Sequence, residues 1–201
     1  MRKKLFTIVL ACLLTGSLLA GVSNVIKFPA KEVQGTGPLP YNYRIIDGHL
    51  HAGGHPLNPS NGLNNSDKQV RSILNYLKSK GVLTVIDLEN TKSIQKRYQA
   101  LLDRAGIKRI HIPLNSVKVP DKKEWGRIRE ALGHPVYLHC MWGADRTGMV
   151  IARYLVEEKG YTPDQAYQAV LTGGSHAGVL GGFKTYLLNL KLKEFIFEGP
   201  K

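Results

Sequence analysis

Short runs rich in β-branched apolar residues alternate with amphipathic segments of helical period along most of this chain, and that alternation restricts it to an α/β layer fold. Arg44-Ile45-Ile46 and His49-Leu50-His51 flank Asp47-Gly48, the spacing of a two-residue hairpin. Ser66 or Asp67 opens a helix with apolar positions Val70, Ile73, Leu74 and Leu77, stopped by Gly81. Val82 to Leu88 reads as a buried strand, Thr91 to Ala105 as a second helix ending at Gly106, and Arg109 to Pro113 as another strand. Asp121 starts a helix through Leu132, with Asp121 and Glu124 spaced as a capping box. Val136 to His139 is the next strand, followed by a helix from near Thr147 to Lys159. Two more helices are expected, one from Thr162 fading at Gly173-Gly174 and one from Phe183 to Phe195. The expected architecture is a mostly parallel central sheet flanked by helices, with the ligand site at the carboxyl ends of the strands.

The first segment stands apart from this pattern. Arg2, Lys3 and Lys4 precede an apolar run from Leu5 to Val22, the layout of a secretory leader over residues 1–23. The expected location is therefore exported, periplasmic or secreted; an uncleaved leader would instead anchor the chain in the inner membrane. Cys12 follows Ala11 in a faint lipoprotein-like arrangement, but apolar residues continue past it. Residues 24–40 carry Gly35, Gly37, Pro38 and Pro40 and read as a linker or an arm laid on the domain that residues 41–201 form. Once the leader is removed, Cys140 is the one remaining cysteine, which excludes an internal disulfide.

Cys140 lies at the end of a predicted strand, in the run His139-Cys140-Met141-Trp142-Gly143-Ala144-Asp145-Arg146-Thr147-Gly148. A loop between a strand and a helix wraps backbone N–H groups around an anion, and the helix N-terminus adds positive potential. The same field favours the thiolate of a cysteine at its edge. Arg146 offers two parallel donors to phosphate oxygens, and Thr147 can hydrogen-bond the sulfur as it leaves. His139 is placed to orient the loop, and Gly143 and Gly148 permit tight turning. Met141, Trp142, Gly143, Ala144, Asp145 and Arg146 form the expected phosphate cradle; Trp142 either lines its wall or anchors the loop in the core.

The run from His139 to Gly148 resembles the His-Cys-x5-Arg-Thr-Gly signature of protein tyrosine phosphatases, especially their small dual-specificity branch. Leu50 to Pro56, Val85-Ile86-Asp87-Leu88, His111-Ile112-Pro113-Leu114 and Val179 to Phe183 follow the order of its small bacterial and fungal members, so the resemblance covers roughly Tyr41 to Phe195. It implies a phosphocysteine on Cys140 that water hydrolyses, without metal or other cofactor. It also implies a general acid aspartate on the loop after the strand at Arg109–Pro113, where this chain carries Asn115 and Ser116. Asp121 is the expected acid, with Asp145 as the competing candidate. Asp121 follows Pro120 but is also spaced as an N-cap. Asp145 sits beside Arg146, which depresses its pKa and weakens it as an acid.

The formal charge of +13 favours anionic partners without choosing among them. Phosphoproteins are the default substrate that the resemblance implies. Inositol polyphosphates are the alternative, because exported phytase-like enzymes share the signature and a basic rim suits several phosphates. Lys118, Lys122, Lys123, Arg127 and Arg129 cluster near the acid-loop region, yet no zinc-finger, RNP or helix-turn-helix pattern accompanies them, so nucleic acid is not expected. A non-catalytic phosphate-binding protein is the reading of another class. A metal-dependent hydrolase would use His49 and His51, with His55 as a third imidazole, because two histidines spaced by one on a strand share a face. The chain is short for the barrel that such an enzyme needs.

Overall fold

Helix ends follow local side-chain chemistry. In α1 (Asp67–Ser79) Ser66 accepts from the Gln69 N–H while the Gln69 side chain returns to the Ser66 backbone. A 3₁₀ turn (Lys92–Ile94) leads into α2 (Gln95–Ala105), which closes on left-handed Gly106. The helices α3 (Lys122–Leu132), α4 (Asp145–Lys159), α5 (Pro163–Thr172) and α6 (Tyr186–Glu198) follow. This computed structural model describes residues 25–27, 34–115, 117–172 and 186–201. The leader, Ser116, the Gly173-Gly174 stop and the segment from Val179 to Phe183 lie outside the described residues.

The described residues form one sheet of β1 (Ile26–Lys27), β2 (Arg44–Ile46), β3 (Leu50–Gly54), β4 (Thr84–Asp87), β5 (Lys108–His111) and β6 (Val136–Cys140), in the order β1-β2-β3-β6-β4-β5. Strands β3, β6, β4 and β5 are parallel, while β1 and β2 add an antiparallel edge. The sheet is therefore mixed, with the expected parallel centre. Part of the 24–40 arm lies on the domain. Ile26 pairs with Ile46 in the sheet, and Leu39 is buried against α1 residues.

Each strand places alternate residues on opposite faces. Val136, Leu138 and Cys140 of β6 join one core with Trp125 and Ile128 of α3, Met149 and Ile151 of α4, Val170 of α5 and Phe195 of α6. Tyr137 joins the other, with Val70, Ile73, Leu74 and Leu77 of α1 and Tyr98 and Leu102 of α2. A fully buried side chain of this size contributes about 1.5–3 kcal/mol.

The hairpin departs from its expected register. Ile46 pairs with Leu50, so the loop holds Asp47, Gly48 and His49 rather than two residues. Both Ile46 and Leu50 belong to the core that α4 covers. Pairing Ile46 with His49 would turn Leu50 out of that core, since a one-residue slip reverses every side chain. The shift also separates the two histidines. His49 lies in the turn, with Nε2 3.0 Å from the Leu132 carbonyl oxygen and its ring against Tyr154. His51 stacks on Tyr43 in the opposite core, with Nδ1 2.5 Å from the Tyr43 hydroxyl. The shared metal-binding face expected of His49 and His51 is not formed.

Candidate active site

Strand β6 ends at Cys140, which is 2% exposed, and α4 begins five residues later at Asp145. The intervening carbonyls are held from behind. The Met141 carbonyl accepts from the His55 backbone N–H at 3.0 Å and from Asn58 Nδ2 at 2.8 Å. The Trp142 carbonyl faces Asn42 Nδ2 at 3.4 Å, and the Gly143 carbonyl accepts from Asn42 Nδ2 at 3.2 Å and Arg44 Nη2 at 2.7 Å. In a trans peptide the N–H points opposite to the C=O. Fixing these three carbonyls outward therefore turns the N–H groups of Trp142, Gly143 and Ala144 inward. Gly143 has φ +67°, and a Cβ there would sit 2.2 Å from the Gly53 carbonyl carbon, so the loop lies flush on β3 only because this residue is glycine.

The same loop opens α4. Its N-cap is Ala144, whose side chain makes no cap hydrogen bond, whereas Ser66 and Asp121 cap α1 and α3. The first-turn N–H groups of α4 therefore add to the anion cradle. Arg146 donates through Nη1 to the carbonyls of Leu88 (3.1 Å) and Leu114 (3.0 Å) and through Nη2 to Glu89 Oε2 (3.0 Å). These bonds fasten its guanidinium to the ends of β4 and β5 and leave its other N–H donors for an oxyanion. Burial disfavours its charge, but Cys140 and Glu89 outweigh burial and raise its pKa. Thr147 is fully buried, and its Oγ1 has no hydrogen-bond partner among the described residues. Trp142 is partly exposed and meets the Tyr41 ring edge-on with centroids 6.2 Å apart, so it forms part of the loop's outer wall.

Behind Cys140 lies a buried polar cluster. His139 Nε2 is 3.0 Å from the Tyr98 hydroxyl, and its Nδ1 faces Asp87 Oδ1 at 3.6 Å. Asp87 Oδ2 pairs with Arg109 Nη2 at 2.5 Å, and Asp87 Oδ1 accepts the Glu89 N–H at 2.8 Å. His55 lies edge-on to His139, 4.7 Å between centroids. His55, Asp87 and His139 have potential ligand atoms within 4.8 Å of one another, the geometry of a possible metal group among the described residues. Their chemistry opposes it. His55 Nδ1 accepts the Leu57 N–H at 3.0 Å, so the proton of the neutral ring is on Nε2, the nitrogen a metal would need. Asp87 is already matched to a permanent cation.

These imidazoles carry a pH consequence. Burial pulls His51 from 6.5 to about 4 and also lowers His55 and His139. Groups held neutral in the folded state take up protons on unfolding, so stability is lost as pH falls from about 6.5 towards 4. Asp87 has the same sign but titrates at lower pH. Burial works to raise it, but its surroundings hold it below the usual carboxylate range, so its contribution persists across this window. Calorimetry should show a melting temperature several degrees lower at about pH 5 than at about pH 7.5, on the order of 1 kcal/mol per histidine. An unchanged melting temperature would contradict neutral burial of the three rings.

The expected acid-loop residues occupy distinct places. Asn115 Oδ1 accepts the N–H groups of Val117 (2.9 Å) and Lys118 (2.8 Å), in a turn that follows Leu114, whose carbonyl binds Arg146. Asp121 is exposed and caps α3, accepting the Glu124 N–H at 2.7 Å. Asp145 is partly exposed in the first turn of α4, beside Arg146. Arg44, Asn42, Asn58 and Glu89 were not found by sequence reasoning. Glu89 had a usable signal, since it follows a strand adjacent to β6 at the carboxyl edge. Asn42 and Arg44 come from the segment before β3 and Asn58 from the one after it, and none has a motif of its own.

A mixed sheet with a parallel centre, a strand–loop–helix turn, a cysteine at its base and an arginine closing it form the arrangement of the cysteine-phosphatase fold. The family model "Polymorphic toxin system, DSP-PTPase phosphatase" matches residues 61–160. The mouse protein "Phosphatidylglycerophosphatase and protein-tyrosine phosphatase 1" is 34% identical over 50 residues, which are 25% of this chain and 26% of that protein. The matched stretch thus spans about a quarter of that relative's length. Crystal structures share the fold at low identity. TpbA of P. aeruginosa has TM-score 0.55 and 18% identity, covering 76% of this chain and 84% of TpbA. PTPMT1 has TM-score 0.55 and 21% identity, covering 77% and 93%. The core catalytic domain of the PP-IP phosphatase SIW14 from S. cerevisiae has TM-score 0.55 and 17% identity, covering 78% and 84%. Over residues 61–160, just under half of its length, the chain is thus similar to a dual-specificity phosphatase family, and its fold is that of the protein tyrosine phosphatases.

Proposed function

We propose that the chain is a cysteine-dependent phosphomonoester hydrolase. The observation that carries this reading is the loop from Met141 to Ala144, whose outward-held carbonyls turn N–H groups inward between Cys140 and Arg146. Phosphate oxygens are received by those N–H groups and by Arg146. Cys140 Sγ attacks phosphorus as the P–O bond to the alcohol breaks, and the alcohol oxygen takes up a proton. Water then attacks the phosphocysteine, releasing phosphate and the thiolate, which Thr147 Oγ1 stabilises. No cofactor enters this sequence.

The substrate is proposed as a phosphoprotein or an inositol polyphosphate. TpbA has been crystallised with pTyr and PTPMT1 with PI(5)P, and this chain exposes Lys122 and Lys123 beyond the Asn115 turn. Side-by-side turnover of a phosphotyrosine peptide and inositol hexakisphosphate decides between them, and turnover of neither would remove the proposal. Export through the leader is likewise proposed, and the amino-terminal sequence of the secreted protein tests it. Beginning near Asn24 would support cleavage, and an intact leader in the membrane fraction would mark an anchor.

The acid is assigned to Asp121 or Asp145 by substrate dependence. Loss of a general acid costs about 10²–10⁴-fold on alkyl phosphates and far less on aryl phosphates with acidic phenols. Asn caps a helix as well as Asp, so Asp121→Asn leaves α3 intact. Given the exposed capping role of Asp121, we expect the substrate-dependent loss in Asp145→Asn and little change in Asp121→Asn. The reverse pattern would place the acid on the loop before α3.

A further inference from the structure

Arg44 is fully buried on an edge-proximal strand, an expensive position for a cation. It stands on β2 directly across from Ala52 of β3, and cross-strand partners share a face. The alanine methyl leaves room for a long side chain to cross β3. Arg44 Nη1 donates to the Asn42 carbonyl at 2.9 Å, and Nη2 to the Gly143 carbonyl at 2.7 Å. Asn42 in turn gives its Nδ2 to the same Gly143 carbonyl at 3.2 Å. The geometry points to Arg44 as a positioning residue for anion binding: it holds the Gly143–Ala144 peptide with its N–H turned into the cradle and sets a positive charge behind the loop.

This inference rests on the phosphatase reading but not on turnover. Two features separate it from ordinary core filling. The bond is made to one of the carbonyls whose orientation defines the cradle, and Gly143 has no side chain through which packing alone could fix it. Arg44 also stays charged in place. Burial lowers its pKa only to about 10, with Cys140 and Tyr137 favouring the cation. Its role is indirect, since the Gly143–Ala144 peptide stands between it and the bound anion.

Orthovanadate affinity, measured by calorimetry on the full chain, tests the inference. A hydrogen bond from a charged donor supports an effect of roughly tenfold or more, so Arg44→Gln should weaken vanadate binding by about that factor and raise KM for an aryl phosphate in parallel. Arg44→Lys retains charge but cannot serve both carbonyls, and should fall between Gln and wild type. A lower melting temperature with unchanged vanadate affinity in the Gln variant would overturn the inference and leave Arg44 a packing residue. If the Gln variant does not fold, the Lys variant decides: a loss of about threefold or more supports the brace, and unchanged affinity overturns it. A wild-type chain that binds no vanadate would instead remove the phosphatase reading itself, and the inference with it.

Discussion

Cys140→Ser is expected to lower phosphomonoester turnover by about 10⁴-fold or more while leaving orthovanadate bound. Serine is close to cysteine in volume, and Cys140 is 2% exposed at the end of a strand, so the substitution disturbs packing little. The hydroxyl is a far weaker nucleophile than a thiolate, and the adjacent imidazole is turned away from it. His139, the nearest imidazole in sequence, points to the other face of the sheet towards Tyr98 and Asp87. The cradle does not depend on the sulfur, because Asn42, Arg44, His55 and Asn58 hold its carbonyls. Steady-state assay and calorimetry on one preparation give both readouts. Turnover near wild type in the serine variant would place the nucleophile elsewhere.

Arg146→Lys is expected to lower kcat by about 10²–10³-fold, although the charge is kept. The wild-type guanidinium bridges the Leu88 and Leu114 carbonyls and Glu89 while presenting further donors to the cradle. A lysine ammonium has three donors on a flexible stem and cannot span both strand ends and still address two phosphate oxygens. Glu89 is buried beside it, so the variant should also melt at a lower temperature. Comparison of kcat, KM and melting temperature separates the effects. A loss confined to stability, with kcat preserved in the folded fraction, would show that Arg146 is structural.

The parts of the site legible in the sequence are those carried by one contiguous loop. Cys140, Arg146 and Thr147 have fixed spacing, so a strand before them and a helix after them bring them together without knowledge of the rest. Capping signals were legible for the same local reason: Ser66 and Asp121 act as N-caps, and Gly106 ends α2. The supports behind the loop depend on sheet order. Arg44 lies 99 residues from Gly143 and Asn58 lies 83 residues from Met141, but β3 lies beside β6 and brings both segments under the loop. The hairpin register was misread because Asp47-Gly48 signals a two-residue turn locally, whereas core burial of both Ile46 and Leu50 sets a three-residue loop. That shift alone dissolves the pairing of His49 with His51.

Trapping the covalent step on Cys140 tests the phosphatase reading most directly. The chain is mixed with a rapidly cleaved aryl phosphate, quenched in acid within the first turnovers, digested and analysed by peptide mass spectrometry. A single phosphoryl group is expected on the peptide containing Cys140, absent from Cys140→Ser and increased in any variant that slows hydrolysis of the intermediate. Turnover by the wild type with no phosphoryl group on that peptide, and equal turnover by the serine variant, would contradict it.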